Sequence, residues 1–361
     1  LRITTRKVVL SGLALAGTVA LLAGCASAPT PAASSGAESK YLPCIVSDVS
    51  GFNDHSFNQL GLAGVTEAAK KLGGTYKKVQ SKTDNDYAAN INSLIAEKCD
   101  IIIASGFNLV DTVKAAAAAN PKTNFAMIDD NSLSGIANVK PVVFETNEAA
   151  FLAGYSAAAY SKTGVVATYG GVKYPSVTIF MDGFVNGVKY FNSQKKKDVK
   201  VLGWDIAAQN GTFVQGFTDQ GLSNTITKNF LDQKADVILP VAGNLYQGAA
   251  AAIRASGGDA VLLGVDADVY LTDPTYRTLL LTSVKKNLQP TVAAVVEQAA
   301  TNKTFDNSLY VGTLKNDGVS VAPFHDFASK VPSTLAAELK TITAGLIDGS
   351  IDNPSPSTFK K

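Results

Sequence analysis

From Tyr41 onward the chain alternates short runs of β-branched and aliphatic residues with longer alanine-rich stretches whose apolar residues recur at helical spacing. The short runs predict strands at Pro43 to Ser47, Thr75 to Gln80, Ile101 to Ala104, Asn124 to Ile128 and Val139 to Phe144. Between them the spacing predicts helices over Asn58 to Leu72, Tyr87 to Lys98 and Leu109 to Ala119. A second series follows, with strands at Val165 to Tyr169, Val199 to Asp205, Val237 to Pro240 and Val261 to Val265. Its helices fall near Ser176 to Asn192, Gly216 to Gln233 and Leu245 to Ala255. Strand and helix in alternation build parallel sheets covered by helices on both faces, so the expected fold class is α/β, as two similar units in tandem. Leu309 to Phe327 reads as a small hairpin and Leu335 to Leu346 as a helix.

Residues before Tyr41 follow another pattern. Arg2, Arg6 and Lys7 precede an apolar run from Val8 to Ala23, which closes on Leu22-Ala23-Gly24-Cys25. The run is too short for a stable bilayer anchor and reads as a secretion signal cleaved before Cys25, whose thiol is then lipidated. Ala26 to Lys40 lacks large apolar side chains and is rich in Ser, Ala and Pro, the composition of a flexible tether. The expected organisation is signal 1–24, tether 25–40, first lobe 41–144, second lobe 145–268, and a segment 269–361 that returns to the first lobe and supplies C-terminal elements.

Removal of residues 1–24 from the 361 leaves 337, enough for two lobes of ordinary domain size. The 32 basic residues nearly balance the 30 acidic ones, and several basic ones lie in the signal and in Lys195-Lys196-Lys197, which reads as a solvated turn. That charge distribution offers no nucleic-acid surface. With Cys25 assigned to lipid, Cys44 and Cys99 remain, each at the start of an apolar run. If the strand order is 2-1-3, the two runs are neighbours and a disulfide can form in an oxidising exterior; the alternative is two buried thiols. No clustered ligand set suggests a metal, the only histidines are His55 and His325, and no cofactor is expected.

Open α/β sheets bind ligands beyond the carboxyl ends of their strands, and here those ends are rich in Asp, Gly and Phe. They are Asp48 to Asn58, Ser105-Gly106-Phe107-Asn108 and Asp129-Asp130 in the first unit. In the second they are Tyr169-Gly170-Gly171, Asp205, Val241-Ala242-Gly243-Asn244 and Asp266-Ala267-Asp268.

The first of these loops, SDVSGFNDHSFNQ (Ser47 to Gln59), resembles the Asp…Asp-x-Ser-Phe-Asn-Gln signature of the basic membrane protein family. FAMIDD (Phe125 to Asp130), AAFLAGYSAAA (Ala149 to Ala159), MDGFVNGV (Met181 to Val188), VAGNLYQG (Val241 to Gly248), GVDAD (Gly264 to Asp268) and TSVKKN (Thr282 to Asn287) are similar to further family segments, in family order. These proteins are lipid-anchored substrate-binding components of ABC importers and include purine nucleoside receptors. The resemblance implies a type I periplasmic-binding-protein fold, with two lobes joined by three crossovers that close on a ligand.

It also implies roles for particular residues. Phe57, followed by Asn58, matches the aromatic that stacks on the purine, an interaction of roughly 1 to 3 kcal/mol per base. The opposite face is expected from Phe213 or Phe217, because Gly211-Thr212-Phe213 and Phe217-Thr218-Asp219 each carry part of the family pattern. Asp48, Asp129 and Asp266 match ligand carboxylates, which accept from hydroxyl or N–H groups. A helix cap for Asp48 and turns for Asp129 and Asp266 are the alternatives. Lys286 matches a ligand lysine, with Lys285 beside it, and Gly243 allows close backbone approach.

The implied protein is a monomer tethered to the outer face of the cell membrane, capturing a nucleoside for an ABC permease. The alternatives are a sugar or other small-molecule receptor of the same fold and an exported sensory lipoprotein. No Gly-x-Ser-x-Gly elbow, Walker loop or histidine-based triad is present, which argues against an enzyme.

Overall fold

The computed structural model describes residues 41–359; the signal, Cys25 and the tether lie outside the described residues. In chain order the first elements are β1 (Pro43–Val46), α1 (Phe57–Lys71), β2 (Lys77–Val79), α2 (Asp86–Ala96), β3 (Ile101–Ser105), α3 (Val110–Ala119), β4 (Asn124–Ile128) and β5 (Val139–Phe144). Next come α4 (Thr146–Tyr160), β6 (Val165–Gly170), α5 (Pro175–Lys195), β7 (Lys200–Leu202), the short ribbon β8 (Trp204–Asp205) and β9 (Asn210–Gly211), α6 (Gln220–Asp232), β10 (Val237–Val241), α7 (Tyr246–Ser256) and β11 (Val261–Asp266). The last are α8 (Val269–Thr272), β12 (Leu280–Lys286), α9 (Leu288–Thr301), β13 (Tyr310–Gly312), β14 (Val319–Val321) and α10 (Leu335–Asp348).

The strands form two six-stranded sheets, in the orders β2-β1-β3-β4-β5-β13 and β7-β6-β10-β11-β12-β14. Every pairing within the two sheets is parallel except β12 with β14. Central strands such as Ile101–Ser105 are buried at every position, as expected where helices cover both faces. Because β1 lies beside β3, Cys44 and Cys99 meet, with Cα atoms 5.9 Å apart, and form a disulfide.

Two family-like motifs are packing devices. AAFLAGYSAAA lies in α4 and MDGFVNGV in α5, helices that cross with almost no space between backbones. A Cβ at Gly154 would sit 2.1 Å from the Phe184 carbonyl oxygen, and one at Gly187 2.0 Å from that of Phe151. Thirteen residues of α4, Thr146 to Ala158, are buried as a result.

Two expectations need correction. The segment 269–361 does not simply return to the first lobe, because the exposed edge of β11 takes β12 as its next parallel partner. From there the chain alternates: α9 packs on α1 and β13 joins the first sheet, while β14 joins the second and α10 packs on α4. Nor is Leu309 to Phe327 a hairpin. β13 pairs with β5 and β14 with β12, so the strand edges of two different sheets satisfy backbone groups that a hairpin would have paired with each other.

Three crossings therefore join the lobes: Phe144 to Thr146, Lys286 to Leu288, and Gly312 to Val319. They are tied side by side. The Glu145 N–H donates to the Gly312 carbonyl at 2.8 Å, and the Asn287 N–H to that of Gly318 at 2.9 Å.

Candidate functional site

The carboxyl ends of both sheets face one another across a cleft beside these crossings. Asp48, Phe57, Asn58, Asp129, Phe217, Gly243, Asp266 and Lys286 all line it. Phe213 does not. Its ring covers Gly170, where a Cβ would come within 2.7 Å of it, and meets Trp204 edge-on at 5.9 Å. α6 starts only at Gln220, with Asp219 accepting from the Leu222 N–H at 2.8 Å, which leaves Phe217 in the preceding loop, laid over Gly171. Of the three aromatic residues expected from the sequence, Phe57 from the first lobe and Phe217 from the second thus line the cleft.

The first loop divides its carboxylates between structure and site. Asp54 accepts from the N–H groups of Ser56, Asn58 and Gln59 at 3.1, 2.7 and 3.0 Å, satisfying the open start of α1. Asp48 is thereby released from capping. Its Oδ1 accepts from the Ser50 N–H at 2.9 Å and the Asn58 side-chain amide at 2.8 Å, which aims the group into the cleft. Burial pushes the Asp48 carboxyl up to about 6, against the lowering pull of those two donors.

At the inner end, Asp129 and Asp266 terminate β4 and β11, corresponding strands of the two sheets. Both have left-handed backbones, with φ of 69° and 65°. A non-glycine residue held there costs on the order of 1 kcal/mol, and such strain gathers at sites where a side chain must be aimed. Lys286, at the end of β12, reaches between them, 2.5 Å from Asp129 Oδ2 and 3.4 Å from Asp266 Oδ1. Strand alternation settles its register, since Lys286 is buried and Lys285 only half-buried. Its ammonium also lies 5.1 Å from the Phe57 ring centre and 5.2 Å from that of Phe180. Burial alone would lower the Lys286 pKa, but Asp129 and Asp266 outweigh it and raise it. Burial pushes Asp129 up to about 6, with Lys286 restraining the rise. Asp129 Oδ1 is buried with no protein partner.

The lobes are also bridged by residues absent from the sequence-based ligand set. Phe107, after β3, lies flat on Tyr174, before α5, with ring centres 3.9 Å apart, and Tyr174 donates its hydroxyl to Asp130 on the opposite lobe. Asp54, Phe107, Ser176 and Phe180 also line the cleft. The first two stand in strand-end loops already marked by their Asp and Phe content. Ser176 and Phe180 lie inside a helical pattern, where periodicity alone does not separate a cleft-facing residue from a core one. Among the described residues no group of three or more His, Cys, Asp and Glu side chains is arranged to hold a metal ion.

A two-lobed α/β chain whose crossings flank a buried cleft of aromatic and acidic residues has the architecture of a solute-binding protein. Its fold matches that of an ABC transporter solute-binding protein from Aeropyrum pernix K1, with a TM-score of 0.74 at 22% identity, covering 88% of this chain and 94% of that one. Residues 43–345 match the Bmp family model, described as ABC transporter substrate-binding protein PnrA-like, and the chain belongs to that family. It is 31% identical over 366 residues to the ABC transporter nucleoside-binding protein BmpA of Lactococcus lactis subsp. cremoris, covering 97% of this chain and 99% of the relative. Basic membrane protein A of Borreliella burgdorferi is 28% identical over 311 residues, covering 84% of this chain and 85% of the relative. The chain is accordingly an ABC transporter substrate-binding protein.

Proposed function

We propose that this protein captures a nucleoside, with a purine base preferred, in the cleft between its lobes and presents it to an ABC permease. The observation that carries the reading is that Phe57 and Phe217, one from each lobe, line the same cleft as the charged cluster of Asp129, Asp266 and Lys286. Flat rings suit a base, whose stacking contributes roughly 1 to 3 kcal/mol on an aromatic platform. Carboxylates suit the hydroxyl donors of a ribose. The nucleoside-binding relative from Lactococcus lactis supports the same cargo. Four carboxylates against one ammonium make the cleft unfavourable for anions, so nucleotides are excluded.

The ligand contacts in this reading are Asp48, Phe57, Asn58, Asp129, Phe217, Gly243, Asp266 and Lys286. Cys25 carries the lipid anchor that holds the monomer at the outer membrane face, a reading supported by the basic start, short apolar run and cysteine of the leader. Calorimetry and thermal unfolding against nucleosides, free bases, nucleotides and pentoses test the cargo. A ligand at a hundred times its Kd stabilises the folded state by about 2.7 kcal/mol. Stabilisation by guanosine, inosine or adenosine is expected; a response to pentoses alone overturns the nucleoside assignment. Metabolic labelling with a fatty acid, lost in Cys25→Ser, tests the anchor.

A further inference from the structure

The cleft is rich in acceptors, and most of its donors are already engaged. The Asn58 amide donates to Asp48 and Asp54. Lys286 is held between Asp129 and Asp266. Against this background Ser176 stands out. It is 3% exposed, lines the cleft from the second lobe, and its hydroxyl has no protein partner. It occupies the first turn of α5, a 21-residue helix that begins at Pro175. The positive end of that helix's dipole favours an electron-rich atom at the Ser176 hydroxyl.

The neighbours of Ser176 locate it. Two residues before it, Tyr174 bonds Asp130, the residue following Asp129. One helical turn after it, Phe180 lies 5.2 Å from the Lys286 ammonium, which is itself bonded to Asp129. Ser176 is therefore set on the second lobe opposite Asp129 on the first, and Asp129 Oδ1 is the other buried cleft oxygen without a partner.

We propose that Ser176 and Asp129 act as a pair that reads one hydroxyl of the ligand, which donates to Asp129 Oδ1 and accepts from the Ser176 hydroxyl. An alcohol carries donor and acceptor on one atom. A carbonyl would set an acceptor against the carboxylate, and an amino group would place hydrogens toward the positive helix end. Since the two readers sit on different lobes, the hydroxyl is fully satisfied only when the lobes are together, which links recognition of that position to closure. Ser176 is thus a specificity-determining residue within the nucleoside site, and the inference rests on that reading of the cleft.

The test is a thermodynamic cycle on the purified protein. Dissociation constants of the unaltered protein and Ser176→Ala are measured by calorimetry for one ribonucleoside and its 2′-, 3′- and 5′-deoxy analogues, after unfolding of the ligand-free variant shows that it folds. Loss of one well-formed hydrogen bond predicts about tenfold weaker ribonucleoside binding in Ser176→Ala. For one deoxy analogue the substitution changes affinity less than about twofold, whereas the other two retain the full loss. An equal loss for all four ligands, or no loss for the ribonucleoside, overturns the pairing while leaving nucleoside capture intact. If the unaltered protein binds pentoses and no nucleoside, the base assignment fails, and the same cycle with deoxypentoses decides the hydroxyl reading. If it binds neither class, both fall.

Discussion

Replacing Lys286 with methionine keeps most of the side chain's volume and removes the only ammonium from the inner cluster. Lys286 is 4% exposed and Asp129 8% exposed at their side chains, so neither charge is compensated by water. Removing one partner of such a buried pair costs about 3 to 5 kcal/mol, because the other charge is left stranded. At roughly 2 °C per kcal/mol for a protein of this size, the ligand-free variant should melt about 6 to 10 °C lower near pH 8.

The pH dependence provides a second reading of the same cause. Asp129 already titrates near 6 through burial, restrained by Lys286, and without the lysine it rises further. A carboxyl whose folded pKa exceeds its unfolded value binds protons more tightly in the folded state. Its burden on stability is therefore relieved as pH falls through the folded pKa toward the unfolded value near 3.9. The gap between Lys286→Met and the unaltered protein should narrow from about pH 8 to about pH 5. Adding Asp129→Asn to the variant should recover part of the loss at the higher pH. Melting followed by circular dichroism measures all three quantities. A deficit under about 1 kcal/mol at the higher pH, or one that neither narrows on acidification nor responds to Asp129→Asn, would refute the assigned charge cluster.

Phe57→Ala should weaken nucleoside binding by about 5- to 150-fold, from a stacking contribution of roughly 1 to 3 kcal/mol, with a much smaller effect on any pentose. Phe213→Ala should lower stability by about 2 kcal/mol, since the ring packs on Trp204, and leave the affinity within about twofold; a loss of affinity matching Phe57→Ala would place Phe213 in the site. Tyr174→Ala removes both the Phe107 stack and the bond to Asp130 that bridge the two lobes, so stopped-flow measurements should show ligand leaving about 3- to 10-fold faster, with association changed less. An unaltered dissociation rate would exclude a retaining role for that contact. Because the Cys44–Cys99 bond spans 55 residues, Cys44→Ala/Cys99→Ala should lose about 4 kcal/mol, read as a lower denaturant midpoint. Equal midpoints for the two proteins would show that the bond contributes nothing to stability.

Most elements were legible from local pattern, because a strand covered on both faces needs an unbroken apolar run and a helix over a sheet needs apolar residues every third or fourth position. Ile101–Ser105 and Phe57–Lys71 are examples. The strand-end loops were legible as well, since the residue beyond a parallel strand has no ladder partner and is where Asp, Gly and Phe concentrate. Local pattern failed where pairing partners were distant. Whether β13 and β14 bond to each other or to β5 and β12 depends on which sheet edges lie nearby, and Leu309 to Phe327 carries no record of that.

The amino-acid sequence by itself determined the family, the alternation that builds two parallel sheets, and the residue types that gather at their carboxyl ends. The tertiary structure alone decided how similar residues divide between packing, capping and the cleft lining. Asp54 caps α1 and frees Asp48; Phe213 covers Gly170 and leaves Phe217 in the cleft lining; Lys286 faces inward where Lys285 does not. Each choice turns on direction, set by backbone dihedrals and by packing against segments far away in the chain. Ser176 shows the same limit: only the arrival of the first lobe opposite the start of α5 distinguishes its buried, unpaired hydroxyl from an ordinary helix residue.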